Sequence, residues 1–102
     1  MATPLDAFKK EFPAVWAAYE SVRNTCDRQG PLDRKTVELV KIGVSAALGR
    51  HGGLDAHIAQ AQRAGAQEAE IYQAILATMS LAGFPTALGA FATAKEYFSR
   101  KG

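Results

Sequence analysis

Glu38, Arg50, His51 and His57 carry the chemistry that this chain can offer. They fall within twenty residues, on either side of Gly49 and the pair Gly52-Gly53. A carboxylate and an imidazole together can orient and move a proton near neutrality. A guanidinium can grip an anionic oxygen with two parallel hydrogen bonds. Each residue also has a plainer reading. Glu38 lies in an apolar run, so it must be paired or hydrogen-bonded inside the fold, or it faces the wet side and pairs with Lys35 or Lys41. Arg50 follows a helix-ending glycine and can satisfy the last carbonyls of that helix. His57 shares a helix face with Leu54, Ile58 and Ala61, where a histidine can be a hydrogen-bonded core group. His51 belongs to the turn and is a candidate contact to substrate. Two histidines and one distant acid do not make a closed zinc set, so no metal is expected.

Six helical patterns must position these residues. Thr3-Pro4 reads as a cap followed by proline in the first turn, opening a short helix with Leu5, Phe8 and Phe12 on one face. Pro13 starts a second pattern that runs to about Cys26, with Val15, Trp16, Tyr19 and Val22 at helical spacing. Gly30-Pro31 is a break. Asp33 caps a third helix, Arg34 to Gly49, which is apolar on most faces and is therefore expected to be central and buried on several sides. The glycines at 49, 52 and 53 predict the reversal, and Leu54 to Ala64 predicts a fourth helix ended by Gly65. Gln67 to Ala82 reads as one helix with acids in its first turn. Gly83-Phe84-Pro85 breaks it, and Thr86 to Arg100 is the last, with Leu88, Phe91, Ala92, Ala94 and Phe98 apolar. Nothing alternates with period two for long enough to be a strand. The prediction is an all-α bundle of five or six helices forming a single domain over residues 1–102.

If the chain reverses over Arg50 to Gly53, His57 lies across from about Val44. Glu38 is then six residues further along, about 9 Å at 1.5 Å per residue. That separation leaves room for a bridging water.

The bulk composition narrows the classes of function. The chain has 102 residues, a net charge of +2 and 48% hydrophobic residues. So apolar a chain of this size exposes more apolar surface than it can bury, and an obligate homo-oligomer is expected. The basic residues are scattered, which argues against a nucleic-acid partner. One cysteine, Cys26, rules out an intrachain disulfide and a C-x-x-C redox pair. No apolar run reaches the ~20 residues of a membrane span, and the N-terminal residues lack a signal-peptide core, so a cytoplasmic protein is expected.

Several blocks together resemble the carboxymuconolactone decarboxylase family, whose superfamily includes the alkylhydroperoxidase AhpD. They are L-D-R-K-T-V-E-L-V from Leu32, A-L-G-R-H-G-G-L-D-A-H from Ala47, R-A-G-A-Q-E-A-E-I from Arg63, A-G-F-P from Ala82, and A-F-A-T-A-K-E-Y-F from Ala90. The match covers roughly residues 10–100. It implies an AhpD-like helical bundle assembled as a trimer or hexamer. In the peroxidase branch a glutamate precedes a C-x-x-C pair and a histidine. Here Glu38 and His57 stand at the acid and histidine positions, while Arg50 and Gly53 stand where the cysteines would be. The decarboxylase branch is closer, through Ala47 to Arg50, Leu54 and His57, with Gly53 replacing a glutamate of that branch. The resemblance implies cofactor-free decarboxylation or isomerisation of a small carboxylated lactone or keto-acid. Arg50 then binds anionic oxygen, His57 delivers a proton and Glu38 orients His57. A peroxidase by descent that lacks its thiols, and a non-catalytic oligomeric small-molecule binder, are the alternatives.

Overall fold

A computed structural model describes residues 3–101, and within them the chain is all-α. It divides into two compact units, one ending at Pro31 and one starting at Leu32.

The N-terminal unit is a pair of helices, α1 (Pro4–Glu11) and α2 (Pro13–Asp27). The Thr3 side chain accepts from the Asp6 backbone N–H, and the Asp6 carboxylate accepts from the Thr3 N–H, which closes a capping box ahead of Pro4. Pro13 then begins α2, as a residue that lacks an N–H can. The aromatics pack locally: the Phe8 and Phe12 rings are 5.4 Å apart, and the Lys9 ammonium lies 4.9 Å from the centre of the Trp16 ring. Neither helix has a buried residue, and Phe12, Val15, Tyr19 and Val22 are more than half exposed.

The C-terminal unit holds α3 (Arg34–Ala47), α4 (His51–Arg63), α5 (Glu68–Leu76), α6 (Met79–Ala82) and α7 (Phe84–Lys101). Asp33 caps α3 by accepting from the Thr36 N–H at 2.8 Å. Helix α3 packs on α4 and α5, and α7 closes against both of them. The core is Ile42 and Ala46 of α3, Leu54, Ile58 and Ala61 of α4, Ile71 and Ile75 of α5, and Ala90, Ala94 and Tyr97 of α7. Burying each of the five large aliphatic side chains contributes about 1.5–3 kcal/mol. The alanines between them let the helix axes approach closely. Ion pairs tie the helices at the rim, Lys35 to Glu70 and Arg100 to Asp55, both at 3.0 Å.

Four expectations need correction. The stretch from Gln67 to Ala82 is two helices, because α5 ends at Leu76 and the Thr78 hydroxyl donates to the Ile75 carbonyl at 2.7 Å. Counted separately, α5 and α6 bring the described elements to seven. Helix α4 starts at His51, three residues early, and Gly52 and Gly53 are helical. The last helix starts at Phe84 and buries Ala87, Ala90, Ala94 and Tyr97, whereas Leu88 and Phe91 are 49% and 41% exposed. Finally, α3 is buried along one stripe only: Val40, Val44 and Leu48 are each more than half exposed. Val40 and Val44 edge an apolar groove of about 430 Å³ that α3 forms with α5 and α6, lined also by Leu39, Ala74 and Leu81.

Candidate active site

The inner stripe of α3 consists of Glu38, Ile42, Ser45 and Ala46. These positions follow the i, i+4, i+7, i+8 rhythm of a single helix face, so Glu38 sits one turn before Ile42 and points the same way. It is 0% exposed. Lys35 pairs instead with Glu70. The Arg34 Nε–H, four residues earlier, donates to Glu38 Oε2 at 3.1 Å. An i, i+4 pair lies on neighbouring turns of one face, and Arg34 reaches it from a largely exposed position.

The turn after α3 sets the approach of α4. Gly49 takes φ +71°, its N–H donates to the Ala46 carbonyl at 3.1 Å, and the Arg50 N–H donates to the Ser45 carbonyl at 2.9 Å. This is a Schellman closure, in which a left-handed glycine satisfies the last carbonyls and turns the chain. The same device recurs at Gly65, φ +100°, at the end of α4. Centring the reversal on Gly49 places position 57 opposite about position 41, not 44. Glu38 is then three residues away, about 4.5 Å of helix rise, which two side chains can span.

The gap does close. His57 Nδ1 lies 3.8 Å from Glu38 Oε1. Both atoms are buried, and neither has a hydrogen-bond partner. The separation exceeds hydrogen-bond length by roughly 0.6–1 Å. Buried polar atoms are nearly always satisfied, because an unmet one costs about 1–3 kcal/mol. The imidazole is 31% exposed, although its Nδ1 is not. One edge of the ring is therefore turned toward the acid, and part of what remains is open to a ligand.

Arg50 is placed differently. It is the N-cap residue of α4, its side chain is exposed, and it is not ion-paired with Glu38. It stands seven residues before His57, about 10 Å along the α4 axis and one residue outside the helix. His51 is the first residue of α4; its side chain lies outside the described residues. Gly53 leaves open space where a side chain would begin. Among the described residues no group of three or more His, Cys, Asp or Glu side chains converges as a metal site. The sequence reading missed Arg34, although its signal was present: an arginine four residues before the acid on a helix whose inner face is set by Ile42.

A search of the curated proteins finds no match. A scan of protein families matches residues 13–96 to one of them. That span takes in α3, its Schellman turn and α4, and with them Glu38, Arg50 and His57. It covers most of the 102 residues, and the single cysteine leaves no C-x-x-C pair within it. The chain belongs to the carboxymuconolactone decarboxylase family.

Proposed function

We propose that the chain is a cofactor-free acid–base enzyme, a carboxy-lyase or isomerase acting on a small carboxylated lactone or keto-acid. The observation that carries this reading is the fully buried Glu38 with Oε1 3.8 Å from His57 Nδ1, both atoms unsatisfied. A fold gains little from holding such a pair short of contact, whereas a proton-transfer site needs one. A proton on Nδ1 faces Glu38, so the carboxylate orients the ring. The opposite nitrogen, Nε2, is then the one that meets substrate.

In the lyase reading, the bond between the ring carbon and the substrate carboxylate breaks and carbon dioxide leaves. The electron pair spreads into the conjugated lactone carbonyl as an enolate, so the substrate is its own electron sink. The Nε2–H of His57 protonates carbon, and the neutral imidazole regains a proton from solvent. Arg50, at the N-cap of α4, stabilises the developing anionic oxygen. A dithiol peroxidase cycle would require cysteines where Arg50 and Gly53 stand. The exposed apolar residues of α3 and α6, Val44 and Leu81 among them, support a homo-oligomer, a trimer or hexamer. Among the described residues no helix is long and apolar enough to cross a membrane; a cytoplasmic location belongs to this proposal.

The test is carbon dioxide release from carboxymuconolactone by the intact chain. Positioned acid–base groups contribute about 10²–10⁴-fold, so His57→Gln and Glu38→Gln should each slow the reaction by at least about a hundredfold. An unchanged rate in His57→Gln would refute the proposal.

A further inference from the structure

A second polar hollow lies beside the Glu38–His57 pair. Arg34, Gln60, Arg63 and Ala64 line a pocket of about 180 Å³ between the start of α3 and the end of α4. It holds the volume of about six waters, room for a carboxylate with a few carbon atoms. Gln60 and Arg63 follow His57 by three and six residues, about 4.5 and 9 Å along the α4 axis. The hollow therefore lies on the side of His57 away from Arg50.

We propose that Arg34, Gln60 and Arg63 form the seat of a substrate carboxylate, next to the acid–base pair. Three observations converge on it. Arg34 binds Glu38 through Nε alone, which leaves its two terminal nitrogens to donate elsewhere. Arg63 has no acidic partner among the described residues, so the pocket carries uncompensated positive charge. Gln60, half-buried at the wall, has an amide that can complete the anion's hydrogen bonds. Two guanidiniums converging from different helices are suited to a planar carboxylate, which accepts bidentate hydrogen bonds. Arg34 also links the two sites, since one guanidinium touches both the buried acid and the anion. A carboxylate held there sets the reacting carbon over His57. The substrate class narrows to compounds with a carboxylate about one helical turn from the atom that is protonated.

The role as a substrate handle rests on the acid–base reading of Glu38 and His57, whereas anion binding does not. The experiment is a titration of isotope-labelled protein with succinate at constant ionic strength, followed by NMR. The Nε–H signals of Arg34 and Arg63 and the side-chain amide of Gln60 should shift and saturate together. Hydrogen bonds to charged groups are worth about 1.5–3 kcal/mol, so Arg63→Gln should weaken succinate binding by about tenfold or more. Gln60→Leu, which leaves the charge unaltered, should weaken it by a smaller factor. His57→Gln should bind succinate as the parent does. An unchanged succinate affinity in both Arg63→Gln and Gln60→Leu overturns the seat, as does affinity lost in Arg50→Gln but kept in Arg63→Gln. If Arg63→Gln loses succinate while His57→Gln keeps full turnover, the seat stands and the acid–base reading falls.

Discussion

Glu38→Met should make the protein more stable while removing its activity. The carboxylate is 0% exposed, and Oε1 has no hydrogen-bond partner. An unmet buried acceptor costs about 1–3 kcal/mol. Against this stands the pair with Arg34, whose side chain is 66% exposed. A pair with so solvated a partner is worth about 0.2–1 kcal/mol, and Arg34 returns to water when the acid is gone. His57 Nδ1 has no hydrogen-bond partner in either case. Methionine is unbranched and close to glutamate in length, so it fills the same space beside Ile42. The balance is a gain of about 1 kcal/mol, which for a chain of this size raises Tm by about 4–8 °C. Thermal unfolding followed by circular dichroism, at one fixed protein concentration, measures it. A loss of 2 kcal/mol or more would refute the reasoning, because it would mean that the buried acid is a structural keystone and not a group retained for chemistry.

Gly53→Ala should stabilise the protein by about 0.5–1 kcal/mol, since Gly53 is helical and an added methyl meets open space; urea unfolding checks this through a higher midpoint at constant slope. Asp6, Asp33 and Glu70 all have lowered pKa values, chiefly because each accepts a hydrogen bond from a helix-capping backbone N–H. Their contribution is complete above the unfolded carboxylate range, about pH 4, and is lost as pH falls through the lower folded values. Asp33→Asn, which keeps the cap acceptor, should therefore flatten the acid side of a stability–pH curve between about pH 2 and 5. Cys26 is exposed, and neither Cys26→Ser nor thiol blocking should change the rate of carbon dioxide release; a lost rate would point to sulfur chemistry instead. Val44→Glu and Leu81→Glu, each charging an exposed apolar residue, should lower the sedimentation mass of the proposed homo-oligomer; an unchanged mass would place the subunit contact elsewhere.

Local signals in the chain determined most of the helices. The Thr3 and Asp33 caps, the proline starts and the Gly49 and Gly65 closures all act within a few residues, so they can be read without knowing the fold. The inner stripe of α4, Leu54, Ile58 and Ala61, was legible for the same reason: one helix face repeats every three or four residues. The family resemblance singled out Glu38 and His57, and the fold brings their side chains to 3.8 Å. What the sequence left open was which of several apolar faces is inside. Helix α3 is apolar nearly all round, so periodicity had no contrast with which to choose Glu38, Ile42 and Ser45 over Val40, Val44 and Leu48. In α7, likewise, small alanines face inward while Leu88 and Phe91 do not, because close helix approach favours small side chains there. The tertiary structure also decided the register between α3 and α4. That register depends on where the turn is centred, and a shift of three residues moved His57 from about 9 Å along the helix to a 3.8 Å approach to Glu38. The hollow beside the pair was unreadable for a related reason. Arg34 and Arg63 are 29 residues apart in the chain, and only the packing of α3 on α4 sets both on one pocket.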